Sequence, residues 1–135
     1  MKKTKWWLRI VGGFYLLLTL LNLYALFFSD LQIFRDTLPF PADAFAVRAF
    51  ADAWMVFIFE LGVLGAMMLY ASREPAQSKI LVLTVVMAEV FRGVVADAVW
   101  IGRGYSPASY IPFIIVHLII IATGILFVRQ EFSNS

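Results

Sequence analysis

One apolar run in this chain carries three ionisable residues, and it constrains the fold more than any other feature. The run, Ile80 to Ile101, is about 22 residues long, which is enough to cross roughly 30 Å of hydrocarbon as a helix. It contains Glu89, Arg92 and Asp97. An ionisable group at that depth costs at least about 2.5 kcal/mol on insertion scales. We therefore expect all three side chains to face protein or a water-filled cavity.

Four apolar runs of spanning length indicate an integral membrane protein. Of the 135 residues, 62% are hydrophobic, a larger share than soluble globular domains contain. The runs cover about 8–28, 45–70, 80–101 and 108–128, and short polar, Gly- or Pro-containing segments separate them. The sequence predicts an all-α fold, a single transmembrane domain over residues 1–135. Its expected architecture is a four-helix bundle with antiparallel, up-and-down connectivity.

The composition excludes several classes of protein and site. The chain has no cysteine, so disulfides, thiolate catalysis, iron–sulfur clusters and cysteine zinc sites are excluded. A di-iron carboxylate bundle needs Glu-x-x-His motifs, and none is present. His117 is the single histidine; we favour a hydrogen-bonded structural role for it over haem ligation, and expect no metal and no cofactor. The net charge of +2 is spread along the chain, which argues against a nucleic-acid partner.

Basic residues in the connecting segments predict the orientation. Lys and Arg accumulate on the cytoplasmic side of membrane proteins. Arg35 and Arg103 fall on one side and Arg48 at a boundary. The other side holds Lys2, Lys3, Lys5, Arg9, Arg73, Lys79 and Arg129. We therefore expect a multi-pass protein with both termini in the cytoplasm, in a bacterial inner membrane as the simplest host.

The polar residues of the four spans are expected to lie in one layer. Alternate spans run in opposite directions, so the distance of a residue from its span end sets its depth. Glu89, Asp97 and Trp100 share one stripe of span three at helical spacing. The predicted pocket opens outward and ends in two glutamates near mid-membrane. Its expected members are Asn22, Arg48, Asp52, Glu60, Glu89, Arg92, Asp97, Trp100 and His117.

Two interpretations of these charges stay open. In the first they are structural ion pairs, Arg48 with Asp52, and Arg92 with either acid of its own span, while Asn22 only bonds a neighbouring helix. In the second they do chemistry, because four carboxylates face only two arginines. A protonated buried acid can donate or shuttle a proton.

The chemical interpretation assigns a role to each residue. Glu60 and Glu89, the deepest acids, are the expected acid and base. Asp52 and Asp97 orient charge, Arg48 and Arg92 are their partners, and His117 carries protons.

The loop between the first two spans, SDLQIFRDTLPFPADA, alternates apolar and polar residues from Ser29 to Ala44. This pattern is typical of a short segment on the membrane surface that caps a cavity, although an ordinary connector fits the same residues.

The organisation resembles the DoxX-like group of small bacterial four-span membrane proteins. The similarity rests on Arg48 near the start of span two, Arg92 inside span three, and a Gly-Arg-x-x-Ser-Pro-like turn that begins at Gly102. The resemblance implies a four-helix membrane bundle and no particular activity. The acids in spans two and three, and His117, depart from the pattern of that group.

The leading functional hypothesis is a small membrane enzyme that admits a lipophilic substrate and performs cofactor-free acid–base chemistry. Isomerisation, epoxide opening and cyclisation all suit paired carboxyl groups with different proton affinities. The second hypothesis is a non-catalytic accessory or assembly subunit of a larger membrane complex, and homo-oligomerisation is also left open. The third is proton-coupled transport, which would use the same acids as a relay.

Overall fold

The computed structural model describes residues 1–132, and this part of the chain contains helices and turns but no strand. Three helices, Lys2–Phe28, Ala44–Ala71 and Pro107–Phe132, are long and apolar enough to cross a membrane. The helices are α1 (Lys2–Phe28), α2 (Gln32–Thr37), α3 (Ala44–Ala71), α4 (Lys79–Ala88), α5 (Ala96–Gly102) and α6 (Pro107–Phe132). A short 3₁₀ turn, Pro75–Gln77, precedes α4.

The third apolar run is not the uninterrupted α-helix that its length predicts. A π-helical segment, Glu89–Val95, joins α4 directly to α5. A π-helical turn is wider than an α-turn, and such turns are frequent at functional sites. Two of the three ionisable residues of the run, Glu89 and Arg92, lie in this segment.

Helices α1 and α3 pack closely through small residues. A Cβ atom added to Gly12 would lie 2.9 Å from the carbonyl oxygen of Gly65, and the reverse distance is also 2.9 Å. Further along the pair, Gly62 lies against Thr19. Small residues let two helix backbones approach in this way.

Helix α6 packs against α4, the π-helical segment and α1. Gly124 of α6 lies between Val86 of α4 and the ring of Trp7 on α1. The Trp7 indole N–H donates a hydrogen bond to Thr123 Oγ1 at 3.0 Å. Trp7 and Val86 belong to the main buried cluster, which also includes Leu8, Val11, Tyr15, Leu61, Met68 and Ile120.

Helix α2 packs onto the start of α3 through a second, smaller cluster. Phe34 is buried together with Ala25, Val47 and Ala51. Leu31, just before α2, has a φ of +57°. The short amphipathic segment expected between the first two spans is therefore a helix with a buried aromatic residue.

Candidate functional site

A cavity of about 470 Å³ lies between α1, α2, α3, α6 and the segment from Glu89 to Tyr105. Most of its lining is apolar and aromatic, with Phe34, Phe50, Trp54, Phe57, Trp100 and Tyr110 among the lining residues. Polar side chains are concentrated at Tyr15, Glu89, Arg92, Asp97 and His117. An apolar cavity with a few convergent polar groups is the usual form of a small-molecule site.

Glu89 is the centre of the polar cluster. Its side chain is fully buried, and Oε1 accepts hydrogen bonds from the Tyr15 hydroxyl and, at 3.2 Å, from Arg92 Nη2. Arg92 Nη2 also donates to the Tyr15 hydroxyl oxygen at 3.1 Å. The second oxygen, Oε2, lies 2.6 Å from His117 Nδ1. The Glu89 carboxylate therefore holds three side chains, each in a defined position.

His117 lies between two carboxylates. Its Nδ1 atom faces Glu89, and its Nε2 atom faces Asp97, whose Oδ2 is 3.6 Å away. Asp97 is 5% exposed, and its Oδ2 atom is buried without a hydrogen-bond donor among residues 1–132. A buried acceptor without a donor is costly, so a donor from a bound molecule would be favourable there.

Gly93 makes the position of His117 possible. A Cβ atom at residue 93 would lie 2.5 to 2.7 Å from three atoms of the imidazole ring. The ring packs directly on the backbone of the π-helical segment as a result. Glycine and the wider helical turn together place Glu89 and Asp97 on either side of His117.

Aromatic residues connect the cavity walls to one another. Trp54 of α3 lies 5.9 Å from Trp100 of α5, measured between ring centroids, and Trp100 lies 5.5 Å from Tyr110. The Trp54 indole N–H donates to Asn22 Oδ1 at 3.0 Å, which confirms the predicted interhelical hydrogen bond of Asn22. Arg92 stacks over Phe57, 5.4 Å from the ring centroid.

The structure brings together only some of the predicted site residues. Those that line the cavity are Asn22, Glu89, Arg92, Asp97, Trp100 and His117. The predicted ion pair of Arg92 with Glu89 is present. The expected stripe of Glu89, Asp97 and Trp100 also faces the cavity.

The expectation that Arg48, Asp52 and Glu60 converge on this pocket is wrong. All three side chains are exposed on α3 and none lines the cavity. Arg48 and Asp52 do pair, at 3.5 Å, but their side chains are 71% and 62% exposed. The buried face of α3 carries Val47, Ala51, Ile58 and Leu61, and the acids lie on the opposite face because of the helical period.

Tyr15 is the site residue that the sequence interpretation missed. Tyrosines of membrane helices usually lie at the interface, whereas Tyr15 is far inside α1 and 2% exposed. It shares a buried stripe with Leu8, Val11, Gly12 and Thr19. The helical spacing of Tyr15 with these small and apolar residues was the feature of the sequence that could have predicted its place in the site.

Within residues 1–132, no group of three or more His, Cys, Asp or Glu side chains is placed to hold a metal ion. The groups available for chemistry are the hydroxyl of Tyr15, the guanidinium of Arg92, the imidazole and two carboxylates. Together they can hold, donate and accept protons at one part of an apolar cavity.

Comparison with known families identifies the group to which the chain is related. A family model described as BphX-like matches residues 1–133, and so spans nearly the whole chain and every residue of the cavity. The chain belongs to the BphX-like family. The resemblance to the DoxX-like group stays unconfirmed, and the BphX-like match is the family relationship that the comparisons support. No curated protein and no solved structure matches the chain.

Proposed function

We propose that this BphX-like protein is a small integral membrane enzyme that performs acid–base chemistry on a lipophilic molecule bound in the cavity. The observation that carries the proposal is the position of His117 between Glu89 and Asp97 in an otherwise aromatic cavity. An aromatic lining selects an apolar substrate, and the polar cluster selects a molecule with at least one oxygen or nitrogen.

The two carboxylates have different roles in this proposal. Glu89 is occupied by Tyr15, Arg92 and His117, so it orients these groups and balances the charge of Arg92. Asp97 has an oxygen atom that receives no hydrogen bond from residues 1–132 and is the candidate general base, with His117 receiving and returning the proton. This revises the sequence interpretation, in which Glu60 was the partner of Glu89.

Isomerisation of an unsaturated ketone illustrates the chemistry that these groups support. Arg92 donates a hydrogen bond to the substrate carbonyl oxygen, and Asp97 removes a proton from the adjacent carbon to give a dienolate. Return of that proton to the far end of the conjugated system moves the double bond with no net change in atoms or electrons. Positioned acid–base groups contribute typically about 10²- to 10⁴-fold to such proton transfers.

The membrane arrangement belongs to the same proposal. Contacts pair Gly12 with Gly65 and Asn22 with Trp54, and later residues of α1 thus meet earlier residues of α3. Gly93 meets His117, and Val86 meets Gly124. Later residues of the third run therefore meet earlier residues of α6, and these two segments are antiparallel as well. These contacts support an antiparallel bundle of four spans. The basic residues of the connections support an inner-membrane location with both termini in the cytoplasm.

The test is isomerisation of a sterol-like β,γ-unsaturated ketone, androst-5-ene-3,17-dione, by the full chain in proteoliposomes. Formation of the conjugated enone is followed by ultraviolet absorbance, and deuterium incorporation from heavy water reports proton removal alone. We expect Asp97→Asn and His117→Gln to lower both rates by about 100-fold or more.

Asp30→Asn is the matched control. Asp30 is exposed outside the cavity, and this substitution removes one carboxylate, as Asp97→Asn does. It should keep the rate of the natural chain. Proton exchange that is absent in the natural chain, or equal in Asp97→Asn and Asp30→Asn, contradicts the proposal.

A further inference from the structure

A second pocket, of about 320 Å³, lies beside the cavity, between α2 and the start of α6. This α2–α6 pocket is lined by Ile33, Asp36, Thr37, Ser106, Ser109 and Tyr110. Four of these residues also line the cavity: Ile33, Thr37, Ser109 and Tyr110. A molecule bound in the cavity therefore lies next to the α2–α6 pocket and can extend into it.

The polar side chains of the α2–α6 pocket have bonding capacity that the protein does not use. The hydroxyl groups of Ser106 and Ser109 form no hydrogen bond with any group of residues 1–132. Asp36 Oδ1 accepts a hydrogen bond from Gln32 at 2.7 Å, and its Oδ2 atom accepts none from the same part of the chain. Carboxylates only accept hydrogen bonds, whereas hydroxyl groups donate and accept them. A ligand hydroxyl could donate to Asp36 and accept from a serine.

The α2–α6 pocket and the polar cluster lie at two ends of one helix face. Ser109, Phe113 and His117 follow one another at four-residue spacing and share one side of α6, and all three line the cavity. Ser109 is eight residues before His117, roughly 12 Å along the helix at about 1.5 Å per residue. A ligand that reaches both ends needs an elongated apolar middle and a polar group at each end.

A hydroxyl group suits the far end of such a ligand better than an amine or a carbonyl. An ammonium group is costly to carry through an apolar cavity. A carbonyl oxygen cannot donate to Asp36, and the two acceptors would face each other without a proton between them. The α2–α6 pocket should therefore discriminate between a hydroxyl and a carbonyl at the same position of a ligand.

We infer that the α2–α6 pocket binds the hydroxyl end of an elongated lipophilic ketone whose carbonyl end lies at Arg92 and Asp97. The inference rests on the proposed function, which places the reacting carbonyl group at these two residues. It narrows the substrate class to hydroxyketones with a long apolar skeleton, such as hydroxysteroids. Asp36 and Ser109 determine this specificity.

Equilibrium binding of two steroids tests the inference. Testosterone and androst-4-ene-3,17-dione share the ring skeleton and the conjugated ketone, and differ at the far end in a hydroxyl against a carbonyl. Each is tritium-labelled and dialysed against proteoliposomes of the full chain, and protein-free liposomes correct for partitioning into lipid. The readout is the ratio of the two dissociation constants. A hydrogen bond to a charged group predicts that the natural chain binds testosterone about tenfold more tightly.

Asp36→Ala should bring this ratio close to one, and Ser109→Ala should lower it in the same direction. Asp30→Ala is the matched control, because Asp30 is an exposed carboxylate just before α2 that lines neither the cavity nor the α2–α6 pocket; it should keep the natural ratio. Ser109→Ala leaves α2 intact, so it decides the result if Asp36→Ala fails to fold.

A ratio near one in the natural chain, no specific binding of either steroid, an unchanged ratio in Ser109→Ala, or an equal loss in Asp30→Ala overturns the inference. The proposed function fails by a different result. Deuterium exchange that depends on Asp97, together with a ratio near one, overturns the α2–α6 pocket assignment alone. The expected ratio without any exchange upholds that assignment and overturns the proposed chemistry.

Discussion

Glu89 shows at the scale of single residues how a carboxylate is kept inside an apolar fold. Removing a carboxylate from water carries a large desolvation cost, and attraction to a positive partner repays it only when further hydrogen bonds complete the site. Glu89 has a positive partner in Arg92, at 3.2 Å, and further polar contacts with His117, at 2.6 Å, and with the Tyr15 hydroxyl. Within the described part of the chain, no side chain or backbone group donates a hydrogen bond to Asp97 Oδ2. In the proposed function, this difference assigns Glu89 to positioning and leaves Asp97 available to a ligand.

Replacing Gly93 with alanine should destabilise the protein. The new Cβ atom would overlap the His117 ring, and the ring cannot turn away without losing its bond to Glu89. Overpacking of this kind costs typically about 1–3 kcal/mol, so we expect Gly93→Ala to lower the midpoint of thermal unfolding in detergent.

Gly102→Ala is the control for this variant, because a Cβ atom at Gly102 meets no atom within 4 Å. Equal unfolding midpoints for Gly93→Ala and Gly102→Ala would show that His117 does not pack on residue 93.

At the scale of elements, the crossing of α1 and α3 depends on two glycines that act as one contact. A methyl group on Gly12 or Gly65 meets the backbone carbonyl of the other helix at 2.9 Å, and backbone cannot move aside without separating the helices. We expect Gly12→Ala and Gly65→Ala each to lower the free energy of unfolding, measured by denaturant titration in detergent micelles.

The double variant should cost less than the sum of the two single variants, because the first methyl group already separates the helices. Residues in contact typically show a coupling of about 0.5–3 kcal/mol. Gly13→Ala is the control, since a Cβ atom at residue 13 meets no atom within 4 Å. Strictly additive losses, or a loss as large for Gly13→Ala, would contradict a shared contact.

At the scale of the whole molecule, Glu131 ties the end of α6 to the start of α1. Its carboxylate accepts hydrogen bonds from the backbone N–H groups of Lys3 and Thr4, at 3.1 and 3.0 Å, and from the Thr4 hydroxyl at 2.6 Å. These N–H groups belong to the first turn of α1 and have no partner within the helix. A side chain from the far end of the chain therefore caps the first helix.

Glu131→Ala should release this end of α1. The loss of a helix cap costs typically about 0.5–2 kcal/mol, and we expect faster amide hydrogen exchange in the first turn of α1 together with a lower unfolding midpoint. Glu74→Ala is the control, because among residues 1–132 the Glu74 side chain bonds only Gln77, within its own turn. Exchange in the first turn that is the same for both variants would rule out a capping role.

The sequence by itself determined the helical class, the membrane setting and the approximate positions of the helices, although α1 begins at Lys2 rather than at residue 8 and the third run contains a π-helical segment. Long apolar runs decide these features because a span in lipid must satisfy its backbone hydrogen bonds internally. The inward stripe of Glu89, Asp97 and Trp100 also follows from local periodicity. The outward position of Glu60 does not, because the helical period puts Glu60 opposite Val47, Ala51 and Ile58 but does not say which of these two faces packs against the other helices.

Only the tertiary structure decided which acids belong to the site. The packing of α1 on α3 turned Glu60 outward and brought Tyr15 to Glu89, two positions 74 residues apart. The π-helical turn and the approach of α6 at Gly93 then placed His117 between its two carboxylates. Contacts between distant segments depend on which helix faces meet, and helical periodicity within one span carries no information about its neighbour.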